Sequence, residues 1–202
     1  MNVRFLMPAA VLASALALSG CATNPVTGKS DVVTMSAAQE VEIGRKMHPQ
    51  VLQQYGRYSD EAVQAYVNDI GQRIAKVSHL PNLQFTFTVL DSPDINAFAL
   101  PGGYVYITRG IMAYLNSEAQ LVAVLGHEVG HVTARHAVRQ QSGAAAAGVG
   151  ATVIGILTGS GDLANVANMA GTALVRGYGR DMELEADAIG AEYLERMGYQ
   201  PE

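Results

Sequence analysis

No five residues constrain this chain more than His127-Glu128-Val129-Gly130-His131. Two histidines four positions apart stand about 40° apart on a helix, so both rings reach one point. Neutral imidazoles placed this way can share one tetrahedral Zn2+. Glu128 sits one step round the same edge, where its carboxylate reaches a water beside the metal without ligating the metal itself. Leu121, Val122, Val124, Leu125 and Val129 make the helix a buried one. A buried His-Glu-His set without a partner would be costly.

Two histidines leave zinc short of protein ligands. A third histidine at the spacing HExxHxxGxxH would fall on Ala137, and the glycine of that pattern is Ala134. The helix opens at the Ser117-x-x-Gln120 capping box and is read as running to about Gln141. That places His136 on the far side from His127, in a surface or structural role. Carboxylates come from Arg180-Asp-Met-Glu183-Leu-Glu185-Ala-Asp187 on the C-terminal helix. Glu183 and Asp187 share a face, and Glu185 points away from both. The longer Glu183 side chain better bridges two helices packed roughly 8–10 Å apart. Asp187 is then expected to accept the other N–H of a ligand histidine, His127.

GHEVGH followed by R-x-x-E-x-x-A-D resembles the HtpX-like zinc metallopeptidases of the gluzincin type, and among them the periplasmic BepA- and LoiP-like lipoprotein branch. The likeness extends to the stretch from Asn96 to Gly110, which in such enzymes is the strand and turn before the active-site helix, and it covers roughly Ser36 to Pro201. The resemblance implies one Zn2+ per chain held by His127, His131 and Glu183, with Asp187 in support and Glu128 as the general base. It also implies a mostly helical α+β zincin-like domain, with a small antiparallel sheet packed beside the HExxH helix. Relatives continue into further helix beyond the last residue here, so the chain is read as a candidate truncated product.

The remaining organisation follows from composition and local pattern. The chain has 202 residues, 49% of them hydrophobic, which suffices for a core. Its 13 basic residues stand against 18 acidic ones with no Lys/Arg run, which argues against nucleic acid as a partner. One cysteine, Cys21, rules out an intrachain disulfide and any Cys-based metal site. Arg4, the apolar stretch Phe5 to Leu18 and the box Leu18-Ser19-Gly20-Cys21 resemble a bacterial lipoprotein signal. Residues 1–20 are therefore read as a signal peptide, Cys21 as the lipidated residue, and 21–35 as a tether. Ala22 in place of Asp points to the outer membrane, on its periplasmic face.

Residues 36–202 are read as the metallopeptidase domain. Helices are expected from the Ser36-x-x-Gln39 capping box to about Tyr55, from Asp60 to about Val77, from about Leu163, and from about Asp181 to Met197. Strands are expected at Gln84 to Leu90, Ile95 to Ala99 and Tyr104 to Thr108. The Gly/Ala-rich stretch Ala144 to Leu157 falls about nine Å short of the ~30 Å hydrocarbon thickness and reads as a helix with small-residue faces. Asn96 and Ala97 are expected on an edge strand that pairs with extended substrate. The leading function is a zinc-dependent endopeptidase acting on unfolded or misassembled periplasmic and outer-membrane polypeptides. The alternative is a chaperone-like assembly factor using the same cleft without efficient cleavage, with the outer-membrane assembly machinery as a further candidate partner. A purely structural lipoprotein would leave the buried His-Glu-His unexplained.

Overall fold

The structure is a computed structural model that describes residues 21–33, 35–146 and 178–200. In chain order it contains β1 (Cys21–Thr23), β2 (Ser30–Val32), α1 (Ala37–Tyr55), α2 (Glu61–Val77), β3 (Thr86–Leu90), β4 (Ala97–Leu100), β5 (Tyr104–Thr108), α3 (Arg109–Met112), α4 (Glu118–Thr133), α5 (His136–Ala146) and α6 (Arg180–Arg196). This is the expected mostly helical α+β architecture. The helix expected from Leu163 and most of the Gly/Ala-rich stretch lie outside the described residues.

The helix starts follow their caps. The Ser36 hydroxyl accepts from the Gln39 amide, and the Gln39 side chain accepts from the Ser36 amide, closing the capping box. Asp60 accepts from Ala62 and Val63 at the start of α2. Ser117 caps α4 through the Gln120 amide, but the Gln120 side chain accepts from Asn116 rather than from Ser117.

Three layers result. Strand alternation sends Phe87, Val89, Val105 and Ile107 towards α2 and α4, where they meet Val67, Ile70, Ile74, Leu121, Val122, Leu125 and Val129. Leu90, Phe98, Leu100 and Tyr106 face the opposite way, onto Met47 and Val51 of α1. Gly102 and Gly103 (φ 80° and 95°) make the turn between β4 and β5 that other residues would strain to adopt.

Sheet order departs from the expected antiparallel arrangement. The order is β3-β5-β4, with β5 antiparallel to β4 and parallel to β3. Pairing fixes this order: β5 runs its whole length along β3 on one side and pairs with all of β4 on the other, while the small alanines of β4 suit an edge. The outer edge of β3 is closed. Tyr58 donates to the Val89 carbonyl, and the Gln64 amide both donates to that carbonyl and accepts from the Val89 N–H. Among the described residues, the outer edge of β4 has no such cover.

Two further expectations need correction. Residues 21–32, read as part of a tether, form an antiparallel hairpin in which Cys21 pairs with Val32. Asn24 shapes its turn by accepting from Val26 and Thr27, and Val33 and Met35 after it bury against Val138 of α5. The helix expected to reach Gln141 instead stops at Thr133. Arg135 takes a left-handed φ of 57°, and α5 starts afresh at His136. Buried contacts hold that break: the Arg135 Nε donates to Glu40 Oε1 at 2.8 Å, and its Nη2 donates to the Met35 carbonyl at 2.9 Å.

Candidate metal centre

α4 presents His127, Glu128 and His131, and α6 lies against it closely enough to bring carboxylates to them. Small residues allow the approach. A Cβ on Gly190 would stand 3.0 Å from the His127 backbone nitrogen, and one on Gly130 would stand 3.1 Å from the Ala186 carbonyl. The His127 and His131 Nε2 atoms are 2.9 Å apart, and Oε2 of Glu183 lies 3.4 Å from the first and 3.8 Å from the second. These three side chains offer ligand atoms all within 4.8 Å of one another. Two imidazoles and one carboxylate converging on a point form a donor set that fits zinc.

Asp187 Oδ1 lies 2.8 Å from Nδ1 of His127. An ionised carboxylate only accepts, so the His127 proton sits on Nδ1 and its Nε2 lone pair faces the centre. Burial, with help from the charge of Glu183, pushes the Glu128 carboxyl up to about 8. A cation at the centre would act in the opposite direction. Burial also holds His131 down at about 3, hence neutral and able to ligate.

Three neighbours were not anticipated. The Tyr178 ring stacks on His131 with centroids 4.2 Å apart, and its backbone N–H donates to Glu183 Oε1 at 3.1 Å. Tyr178 stands five positions before Glu183, but nothing in the spacing marks it. His136, expected on the far side, has its Nδ1 2.8 Å from Nδ1 of His131. The break at Arg135 swings it back. Glu185 does point away from Glu183 and Asp187, yet it meets His136 at 3.2 Å and Arg139 at 2.8 Å.

The cleft beside His131 is lined by Ala99, Leu100 and Tyr178 together with Val132 and Arg135. Ala97 is therefore on the edge strand that borders the site. Asn96 precedes that strand, and its backbone is already engaged. Its N–H donates to the Thr108 hydroxyl at 3.2 Å, and its carbonyl accepts from the Thr108 N–H at 3.0 Å. Hydrogen bonding in an antiparallel pair alternates, so it is Ala97 and Ala99 whose N–H and C=O groups face outwards. Asn96 therefore keeps its backbone groups inside the sheet, whereas Ala97 and Ala99 turn theirs away from β5.

A helix with His-Glu-x-x-His, met by a carboxylate from a second helix beside a sheet edge that the described residues leave open, is the arrangement of a metallopeptidase. Residues 61–202 match the family model described as Peptidase family M48, and the chain belongs to that family. The beta-barrel assembly-enhancing protease of Escherichia coli (strain K12) is 32% identical over 189 residues, covering 89% of this chain and 39% of that protein. The mitochondrial metalloendopeptidase OMA1 of Schizosaccharomyces pombe is 28% identical over 182 residues, covering 88% of this chain and 53% of that protein. The chain thus spans 39% of the length of the first of these relatives. No helix among the described residues is long and apolar enough to cross a membrane.

Proposed function

We propose that this chain carries the catalytic part of a lipid-anchored zinc metalloendopeptidase, which hydrolyses unfolded or misassembled polypeptides at the periplasmic face of the bacterial outer membrane. The observation that carries this reading is the meeting of His127, His131 and Glu183 within 4.8 Å, beside the buried carboxyl of Glu128. His127, His131 and Glu183 would hold one Zn2+, which when bound would polarise the scissile carbonyl. Glu128 takes a proton from the attacking water and delivers it to the leaving amine. Asp187 keeps His127 in its ligating tautomer. The outward amides of Ala97 and Ala99 align an extended chain across the cleft, which favours unfolded segments of broad sequence.

Cys21 is the proposed lipid attachment. The name of the E. coli relative joins proteolysis to β-barrel assembly, and it supports the outer-membrane assembly machinery as a partner of this branch.

Glu128→Gln tests the assignment. It is expected to abolish casein hydrolysis while zinc content stays near one per chain, because Glu128 is the base and not a ligand. Loss of zinc together with activity would sink the role given to Glu128. A wild-type chain loaded with one zinc that leaves casein uncut would favour the chaperone-like alternative.

A further inference from the structure

His136 is completely buried between two partners. Its Nδ1 lies 2.8 Å from Nδ1 of His131, and its Nε2 lies 3.2 Å from Oε2 of Glu185. Glu185 is held in turn by Arg139, whose Nε is 3.6 Å from Asp31 of the N-terminal hairpin. The proton positions follow from the outer end inwards. An ionised carboxylate only accepts, so Glu185 requires the His136 proton on Nε2. A neutral imidazole protonated there has its lone pair on Nδ1. The 2.8 Å contact then requires the His131 proton on its own Nδ1. That leaves the His131 lone pair on Nε2, the atom facing His127 and Glu183.

We propose that His136 and Glu185 form a positioning relay, which locks His131 into its Nε2-ligating tautomer and fixes its ring plane. Zinc affinity then depends on two residues that never touch the metal. His127 receives this service directly from Asp187. His136 instead lies between His131 Nδ1 and the Glu185 carboxylate, and relays its influence. The left-handed turn at Arg135 makes this possible, because it folds His136 back under the helix that carries His131. The inference rests on the proposed role of His131 as a ligand.

A relay and a mere filler of space predict opposite orders for two variants of the full chain. His136→Asn places an amide oxygen where Nδ1 stood, which keeps an acceptor but leaves a void. His136→Phe fills the volume and offers no acceptor. Zinc dissociation constants, measured by competition with a chromophoric chelator, report the difference. The relay predicts His136→Asn within about three-fold of wild type and His136→Phe weakened by about 10–100-fold. The Co2+ absorption bands of His136→Phe should also shift, since the ring plane is released. Glu185→Ala tests the outer end and removes only a partly exposed side chain. It is expected to weaken zinc binding about ten-fold, because His136 can then turn its proton towards that of His131. Tighter binding by His136→Phe than by His136→Asn overturns the relay. If His136→Phe does not fold, an unchanged constant in Glu185→Ala overturns it. A wild-type chain that takes up no zinc overturns the metallopeptidase reading as well, whereas a zinc-loaded wild type with the reversed order overturns the relay alone.

Discussion

Glu183 and Asp187 stand one turn apart on α6 and address opposite nitrogens of His127, Glu183 at Nε2 and Asp187 at Nδ1. Removing each should therefore have a different cost. Glu183→Ala is expected to lose most of its zinc because a proposed ligand is gone. Asp187→Ala is expected to retain the metal with affinity lowered about 10–100-fold, because only the orientation and tautomer of His127 are lost. Metal analysis after dialysis separates the two, and a fully loaded Glu183→Ala would contradict the assignment. These residues were legible in the sequence because helical periodicity fixes which side chains share a face. His136 and Glu185 were not, because their meeting depends on Arg135 adopting a φ of 57°. Arginine has no preference for that region. The conformation is held by Glu40 and by the Met35 carbonyl, about a hundred positions away in sequence, and no local pattern could announce it.

At the scale of elements, β3 and β4 are the two edges of one sheet and have been treated oppositely. Gln64 and the segment around Tyr58 occupy the first, while among the described residues the second is left open beside the centre. Ala99→Pro removes one outward N–H without removing a ladder bond, which an edge strand tolerates. Loss of one hydrogen bond of about 1 kcal/mol should raise KM for a long unfolded substrate about five-fold, with little change in kcat or thermal midpoint. An unchanged KM in a folded variant would count against strand pairing. The strands themselves were readable from their period of two, and the helices from their caps. The order of the strands was not, since alternation in β5 looks the same whether the strand is central or marginal. Only the pairing of β5 with both β3 and β4 settles it.

For the whole molecule, burial pushes the pKa of His48, His79, His131 and His136 below the ordinary 6.5. Protonation therefore favours the unfolded chain. The stability these groups contribute is fully present above pH 6.5 and is lost as pH falls towards their folded values. The Glu128 carboxyl, raised to about 8, works in the opposite sense and favours the folded chain as pH falls, but below pH 6.5 it is one group against four. The metal-free protein should therefore show urea midpoints that drop from pH 6.5 to pH 5 at constant m, and a flat profile would refute the expectation. Cys21→Ser, in turn, should leave the protein unprocessed or release it from the outer-membrane fraction. Normal processing with unchanged fractionation would refute the anchor. The hairpin at the proposed anchor has a mechanical consequence. Cys21 already pairs with Val32, and the residues just after that strand are buried under α5, so no slack chain separates a lipid on Cys21 from the folded body. Such a protein would stand on the bilayer like a bracket and not drift like a float on a line. A lipid there would hold the hairpin, and with it the face of α5 that carries Val138, close against the membrane.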